Sequence, residues 1–172
     1  MTIDLPAFDP ETGELNVIVE TPKGHRNKLK YDEKRRLFRL AKVLPAGAVF
    51  PFDFGFVPST KGGDGDPLDV LLLMDEPVTP GCLVFARLVG VIEAEQTEGD
   101  TTKRNDRLIA VAIESTTHTG VESLDDVGEP LLEQIEHFFA SYHAIEGHTF
   151  EPIGRHGPDR AEKLVREATT LR

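Results

Sequence analysis

The chain has 172 residues, of which 39% are hydrophobic, and it carries a formal net charge of −11 at pH 7. This size and composition suit a single domain over residues 1–172, and the acidic charge disfavours nucleic acids and anionic membranes as partners, because like charges repel. A lone cysteine, Cys82, excludes an intramolecular disulfide. With no signal-peptide pattern and no apolar run of membrane-spanning length, we expect a cytoplasmic protein without membrane contact.

Short strands dominate the predicted secondary structure. Leu15, Val17 and Val19 lie on one face of an alternating stretch, which indicates a strand. Similar patterns, or continuous apolar runs bounded by turn residues, recur along the chain. Strands are predicted at 15–20, 28–31, 37–40, 70–74, 82–92 and 107–113, the last two joined as a hairpin by a polar loop over 93–106.

Proline positions mark the segments that are not regular strands. Prolines and glycines from Pro45 to Pro58 exclude a helix there, and the phenylalanines between them predict an irregular, aromatic-lined wall. One helix is predicted to begin at Pro130, and another at Asp159, where Glu162 would complete a capping box. Their predicted apolar faces are Leu131, Ile135, Phe138 and Tyr142 in the first helix, and Ala161, Leu164, Val165, Ala168 and Leu171 in the second. The order of elements predicts an α+β fold, a small closed or partly open β-barrel with two C-terminal flanking helices.

An acidic loop precedes the strand predicted at 70–74. Asp64, Asp66 and Asp69 place three carboxylates within six positions, and two unit charges roughly 6 Å apart repel by about 3 kcal/mol at an effective dielectric near 20. A divalent cation offsets this repulsion, and an all-oxygen ligand set favours Mg²⁺ or Mn²⁺ over Zn²⁺. Leu68 stands where a calcium-binding EF-hand loop needs a third alternating ligand, which disfavours that motif.

Four segments of the chain resemble the soluble inorganic pyrophosphatases, which fold as an oligonucleotide-binding-type barrel with flanking helices. They are 19–28 (VETPKGHRNK), 50–56 (FPFDFGF), 64–71 (DGDPLDVL) and 137–142 (HFFASY). The third is the most specific, and the four keep the order and spacing of the family apart from the loop near residue 100. The resemblance implies hydrolysis of pyrophosphate by a Mg²⁺-dependent homo-oligomer, which is commonly a hexamer in bacterial relatives.

The same resemblance assigns expected roles to individual side chains. The implied metal ligands are Asp64, Asp66 and Asp69. Asp66 would also help to deprotonate the attacking water, because a divalent cation lowers the pKa of a coordinated water and a neighbouring carboxylate can accept its proton. Glu20 would hold waters around the metal. Lys28 and Tyr142 match positions whose side chains hold the phosphates, and we carry Tyr142 with Asp66 as a candidate catalytic residue.

Several positions depart from the family pattern. Lys30 stands where the family has an acidic residue, and Lys42 replaces a phosphate-binding arginine, which keeps the charge but loses the bidentate geometry. Phe50 and Phe54 replace two tyrosines and so remove hydroxyl donors. His143 replaces a lysine and would be mostly neutral at pH 7. These departures predict a divergent member in which Lys42 still binds phosphate.

The loop near residue 100 leaves a second acidic cluster open. The family has two aspartates and a lysine there. Counting back from the following strand aligns Arg107 with the lysine and Asn105 with one aspartate, whereas counting forward favours Asp100 and Lys103. We therefore carry Asp100 and Asp106 as candidate metal ligands, and Arg107 as a candidate substrate-binding residue.

Three functional hypotheses follow from these residues. The first is metal-dependent hydrolysis of inorganic pyrophosphate to two phosphates. The second, prompted by Lys30, Phe50, Phe54 and His143, is a divergent phosphohydrolase that acts on another small phosphoanhydride. The third is an inert metal or phosphate sensor on the same barrel. Turnover of pyrophosphate against nucleotides separates the first two, and binding without turnover identifies the third.

Overall fold

The computed structural model describes residues 4–169, which form nine strands and three helices. The elements are β1 (Leu15–Thr21), β2 (Asn27–Asp32), β3 (Leu37–Val43), β4 (Asp53–Phe56), β5 (Asp69–Leu73), β6 (Leu83–Glu98), β7 (Thr101–Arg104), β8 (Arg107–Ala112), α1 (Leu124–Val127), α2 (Glu129–Ala144), β9 (Thr149–His156) and α3 (Pro158–Ala168). Each strand predicted from the sequence is therefore confirmed, although several boundaries move. The β2–β3 hairpin forms a sheet of its own.

Five strands close a ring. β1 pairs with β4 on one side and with β6 on the other, and β5 and β8 complete the circuit between them. Gly55 permits the tight β1–β4 contact, because a Cβ there would lie 2.3 Å from the Ile18 carbonyl oxygen. The β5–β8 pair is parallel, and its register places Asp69 beside Arg107. This ring confirms the predicted α+β fold with a small barrel, and it brings two candidate site residues together.

The aromatic wall is more regular than predicted. Asp53–Phe56 form β4, which pairs with both β1 and β5. Pro51 and Pro58 lie just outside this strand, so they remove no ladder hydrogen bond from it. Phe50 and Phe54 are each 1% exposed, as expected of a buried wall.

The prediction of a polar loop over 93–106 is wrong. β6 continues to Glu98, turns at Gly99 with φ of +58°, and returns as β7. The hairpin is polar because it extends past the barrel and has no core to cover. β9 was not predicted either. It pairs along β6 between 91 and 97 and, within the described residues, with no other strand, so its Pro152 lies at a sheet edge, where proline is tolerated.

Both predicted helices are present, and a short α1 precedes them. α2 begins one residue before Pro130, which occupies its first turn. The predicted capping box at Asp159 is wrong, because α3 begins at Pro158 with Gly157 as its N-cap. Glu162 instead accepts a hydrogen bond from Arg166 one turn later. In the predicted apolar face of α3, Leu171 lies outside the described residues.

Two buried clusters cover the two faces of the barrel sheet. Alternate residues of β5 join different clusters: Leu71 and Leu73 pack with α2, whereas Val70 and Leu72 pack with α3. The continuous apolar run of β5 is thereby explained, since both of its faces are buried. None of the helices within residues 4–169 has the length and apolar character needed to cross a bilayer.

Candidate functional site

A cavity of about 780 Å³ opens between the barrel, the β2–β3 hairpin and the β6–β7 hairpin. Charged and amide side chains from five parts of the chain line it: Glu20, Lys28, Lys30, Glu33, Asp64, Asp66, Asp69, Gln96, Glu98, Lys103, Asn105 and Arg107. Six of the predicted site residues meet here, namely Glu20, Lys28, Asp64, Asp66, Asp69 and Arg107. They come from positions far apart in sequence, so closure of the barrel creates the site.

The acidic loop forms one wall of this cavity. Gly65 adopts φ of +93°, a left-handed conformation that favours glycine, and the Asp66 backbone N–H donates to Asp64 Oδ1 at 3.1 Å. Leu68 is buried, and its N–H donates to Thr60 Oγ1 at 3.0 Å. The buried leucine anchors the loop, so that the three aspartates around it face the cavity.

Cations from the protein already face two of these aspartates. Lys30 Nζ lies 2.7 Å from Asp66 Oδ2, and Arg107 Nη1 lies 2.8 Å from Asp69 Oδ2. The repulsion expected within the acidic loop is therefore offset in part without a divalent cation. The loop is partly neutralised by side chains from β2 and β8.

Two other carboxyl groups remain electrostatically costly. Burial raises the pKa of Glu20 to about 7, with a further contribution from the Asp69 charge, although the Tyr31 N–H donates to its Oε1 at 2.7 Å and opposes the shift. Burial also raises the pKa of Asp64, and the charges of Asp69 and Asp66 add to it. A cation placed among these groups would stabilise their ionised forms.

Arg107 is the most enclosed cation of the cavity. Its side chain is 3% exposed, and its guanidinium carbon lies 4.6 Å from the centre of the Phe139 ring. Nη1 donates to Asn105 Oδ1, and Nη2 lies 3.3 Å from His143 Nε2. The sequence singled out Arg107 only by its position relative to the strand that follows. The structure shows that its guanidinium forms an ion pair with Asp69.

Lys42 and Tyr142 are not among the residues that line the cavity. Tyr142 is 5% exposed and packs its ring against Phe50 and Phe138. Lys42 Nζ sits 4.1 Å from the centre of that ring and 2.5 Å from Glu146 Oε1. Lys28 connects the two regions, because it lines the cavity while its Nζ lies 5.2 Å from the Tyr142 ring centre.

The second acidic cluster differs from both alignments considered. Asp106 is not among the residues that line the main cavity, and its carboxylate accepts hydrogen bonds from the Ala94 N–H at 3.0 Å and from Arg104 Nη2 at 2.9 Å. Asp100 is exposed in the β6–β7 turn. Glu98 and Lys103, which flank that turn, line the cavity instead. The signal that could have found them is the Gly99–Asp100 pair between two alternating stretches, a two-residue hairpin turn.

A separate group of possible ligands lies behind the cavity. His143, Glu146 and His148 each offer an atom within 4.8 Å of the others, and His143 Nδ1 is buried without a hydrogen-bond partner among residues 4–169. Lys42 pairs with Glu146, and Arg107 contacts the other nitrogen of His143. These two positive charges oppose a divalent cation, so we assign no metal to this group.

The buried His143 predicts a pH-dependent stability. Burial, together with the Arg107 charge, lowers the pKa of His143 to about 3, whereas the unfolded chain titrates near 6.5. Below about pH 6.5 the unfolded state binds a proton that the folded state excludes, so this residue's contribution to stability is full above that pH and falls as the pH drops towards 3. Between pH 7 and pH 5 the loss amounts to about 2 kcal/mol.

Comparison with His143→Gln isolates this effect. The raised pKa of Glu20 acts in the opposite direction over the same range, since its folded form binds the extra proton, and the variant cancels that shared contribution. Urea unfolding in EDTA at pH 7 and pH 5 should show the variant gaining about 2 kcal/mol relative to the native chain at the lower pH. Parallel losses in the two proteins would contradict the prediction.

The donor set of the cavity fits a hard divalent cation. Glu20, Asp64, Asp66 and Asp69 offer only carboxylate oxygens, and such ligands suit Mg²⁺ or Mn²⁺. Lysine and arginine groups across the cavity suit a polyanion, since they pair with phosphate oxygens. The barrel and its site therefore define a class of protein that holds a divalent cation together with a phosphate-bearing ligand.

Comparison with known proteins identifies the family. The inorganic pyrophosphatase family model matches residues 17–171. An inorganic pyrophosphatase of Synechocystis is 36% identical over 163 residues, covering 95% of this chain and 94% of its own length, and one of Methanosarcina acetivorans is 36% identical over 89% of each chain. The crystal structure of the Thermus thermophilus inorganic pyrophosphatase superposes with a TM-score of 0.88 at 32% identity, covering 98% of this chain and 96% of that one.

The chain belongs to the inorganic pyrophosphatase family. The predicted recognition is thereby confirmed, as is the barrel fold of the family. Members of this family depend on metal ions, which agrees with the oxygen-rich donor set of the cavity.

Proposed function

We propose that this chain hydrolyses inorganic pyrophosphate to two phosphates with Mg²⁺ as its cofactor, Mn²⁺ being able to substitute. The observation that carries the proposal is one cavity in which the carboxylates of the acidic loop face Lys28 and Arg107. We further propose that residues 1–172 act as one domain in the cytoplasm, in a homo-oligomer that is a hexamer by resemblance.

The acidic wall is where the metal would bind. Asp64, Asp66 and Asp69 would hold the cation, with Glu20 accepting hydrogen bonds from waters around it. When bound, Mg²⁺ lowers the pKa of a coordinated water and screens the charge of the phosphates. The raised pKa values of Glu20 and Asp64 support this placement, because both groups lie where an added positive charge is favourable.

The chain's own residues would perform the remaining steps. Asp66 is exposed to the cavity and would accept the proton of the attacking water. Arg107 would bind and orient a phosphate group through its guanidinium, and Lys28 would bind another with its ammonium. Burial lowers the pKa of Lys28, so an arriving phosphate would also stabilise its charged form.

Four of the predicted site residues do not line the cavity, namely Asp100, Asp106, Lys42 and Tyr142. Their roles remain predictions, in a modified form. We propose that Glu98 and Lys103 of the β6–β7 hairpin, which line the cavity, take the place of Asp100 and Asp106. Tyr142 would act indirectly, through the contact of its ring with the Lys28 ammonium, and Lys42 through its contact with that same ring.

The substitutions that prompted a different substrate lie mostly outside the cavity. Phe50 and Phe54 are fully buried, and His143 is 5% exposed. Of the four departures, Lys30 is the one found among the lining residues. The loss of the tyrosine hydroxyls is therefore a change in the buried wall, and it gives no reason to prefer another phosphoanhydride over pyrophosphate.

Phosphate release from purified protein tests the proposal. With Mg²⁺ present, we expect pyrophosphate to be hydrolysed at least tenfold faster than ATP or tripolyphosphate at equal concentration. EDTA should stop the reaction, and excess Mg²⁺ should restore it. Faster turnover of ATP would favour the divergent phosphohydrolase, and calorimetric binding of pyrophosphate without phosphate release would favour the inert sensor.

A further inference from the structure

Lys30 forms an ion pair with Asp66, one of the carboxylates that would bind the proposed metal ion. Its ammonium donates a hydrogen bond to Asp66 Oδ2 at 2.7 Å. The two side chains are 38% and 58% exposed, so the pair lies at the mouth of the cavity, where ions reach it from solvent. Lys28 and Lys30 alternate along β2, which directs both side chains to the same cavity.

We propose that Lys30 is a built-in competitor of the divalent cation, whose ammonium must leave Asp66 before a metal ion takes that carboxylate. The inference rests on the proposed metal-dependent function. The inference follows from the geometry. Asp66 Oδ2 accepts a hydrogen bond from the Lys30 ammonium at 2.7 Å, so the lone pair used in that bond is not available to a metal ion. The displaced ammonium then stays near the dication and repels it.

Two terms therefore weaken metal binding in this chain. Breaking the ion pair costs little, since exposed ion pairs contribute little to stability. Repulsion between the dication and the displaced ammonium adds to that cost. Together we expect them to lower the affinity for the metal about tenfold, which corresponds to about 1.4 kcal/mol.

The released ammonium also acquires a new partner when substrate binds. A phosphate oxygen in the cavity offers Lys30 a charge-assisted hydrogen bond in place of Asp66. Exchange of one anionic partner for another would make metal binding tighter in the presence of the polyanion than in its absence. Lys30 would thus couple loading of the metal to arrival of the substrate.

Lys30→Met tests the competition, because methionine keeps much of the apolar stem and removes the charge. Mn²⁺ alone is titrated into the full chain by calorimetry, and the native protein is compared with Lys30→Met, Lys30→Arg and Lys103→Met. Lys103 lines the same cavity and has no ion pair with Asp66 among the described residues, so its variant measures the effect of cavity charge alone.

The expected result is Mn²⁺ binding about tenfold tighter in Lys30→Met, no more than threefold tighter in Lys103→Met, and native-like in Lys30→Arg. Equal affinities in the native chain and Lys30→Met, or equal gains in the two methionine variants, would overturn the inference. In those cases the native chain still binds Mn²⁺ and hydrolyses pyrophosphate. A native chain that does neither would instead overturn the proposed function.

Discussion

Asp66→Asn is expected to lower the rate of pyrophosphate hydrolysis by about 10²- to 10⁴-fold, the usual contribution of a positioned general base. The amide is neutral, so it cannot accept the proton of the attacking water, and it is a weaker ligand for a hard cation. The side chain is 58% exposed and its ion pair with Lys30 is at the surface, so we expect the free energy of unfolding to change by no more than about 1 kcal/mol.

Asp125→Asn is a matched control for this variant. It makes the same chemical change at an exposed position of α1, away from the cavity lining, and should leave turnover unchanged. Phosphate release at saturating Mg²⁺ and urea unfolding are measured on both proteins. Native-like turnover in Asp66→Asn would refute the assigned role, whereas unfolding of that variant would show that Asp66 has a structural role.

Arg107→Met is expected to lower both stability and activity. The guanidinium is almost fully buried and holds Asp69 at 2.8 Å. Removing one partner of a buried ion pair costs roughly 3–5 kcal/mol, and because Asp69 is 23% exposed, we expect about 2–3 kcal/mol here. Loss of a preorganised donor to phosphate should also lower kcat/KM by about 10²- to 10³-fold.

The response to Mg²⁺ makes this prediction specific. A dication at Asp69 would replace the missing countercharge, so Mg²⁺ should restore part of the lost stability in Arg107→Met and raise the native stability less. Arg35→Met is the matched control, because it removes an ion pair with Asp32 of 2.7 Å from an arginine that is 72% exposed, and it should cost less than about 1 kcal/mol. Equal losses in the two variants, with no effect of Mg²⁺, would contradict the account.

Elements with a strong local signal were predictable from the sequence. β1 and α2 follow from apolar periodicity, and the acidic loop follows from its glycine and its three aspartates. β9 and the β6–β7 hairpin were missed because they are polar. They owe their structure to pairing with distant strands, and that pairing leaves little trace in local composition. The capping box at Asp159 was wrong because Pro158 suits the first turn better than a side-chain cap does.

The site shows the same division. Asp64, Asp66 and Asp69 lie within six positions. The sequence by itself therefore determined that an acidic loop would precede β5, because the residues that favour a turn act on the backbone over only a few positions. Which cations face that loop was decided by the tertiary structure alone. Lys30 and Asp66 are 36 residues apart, and Arg107 meets Asp69 through a parallel strand register. A shift of one residue in either strand would turn these side chains to the opposite face, and no local pattern specifies that register.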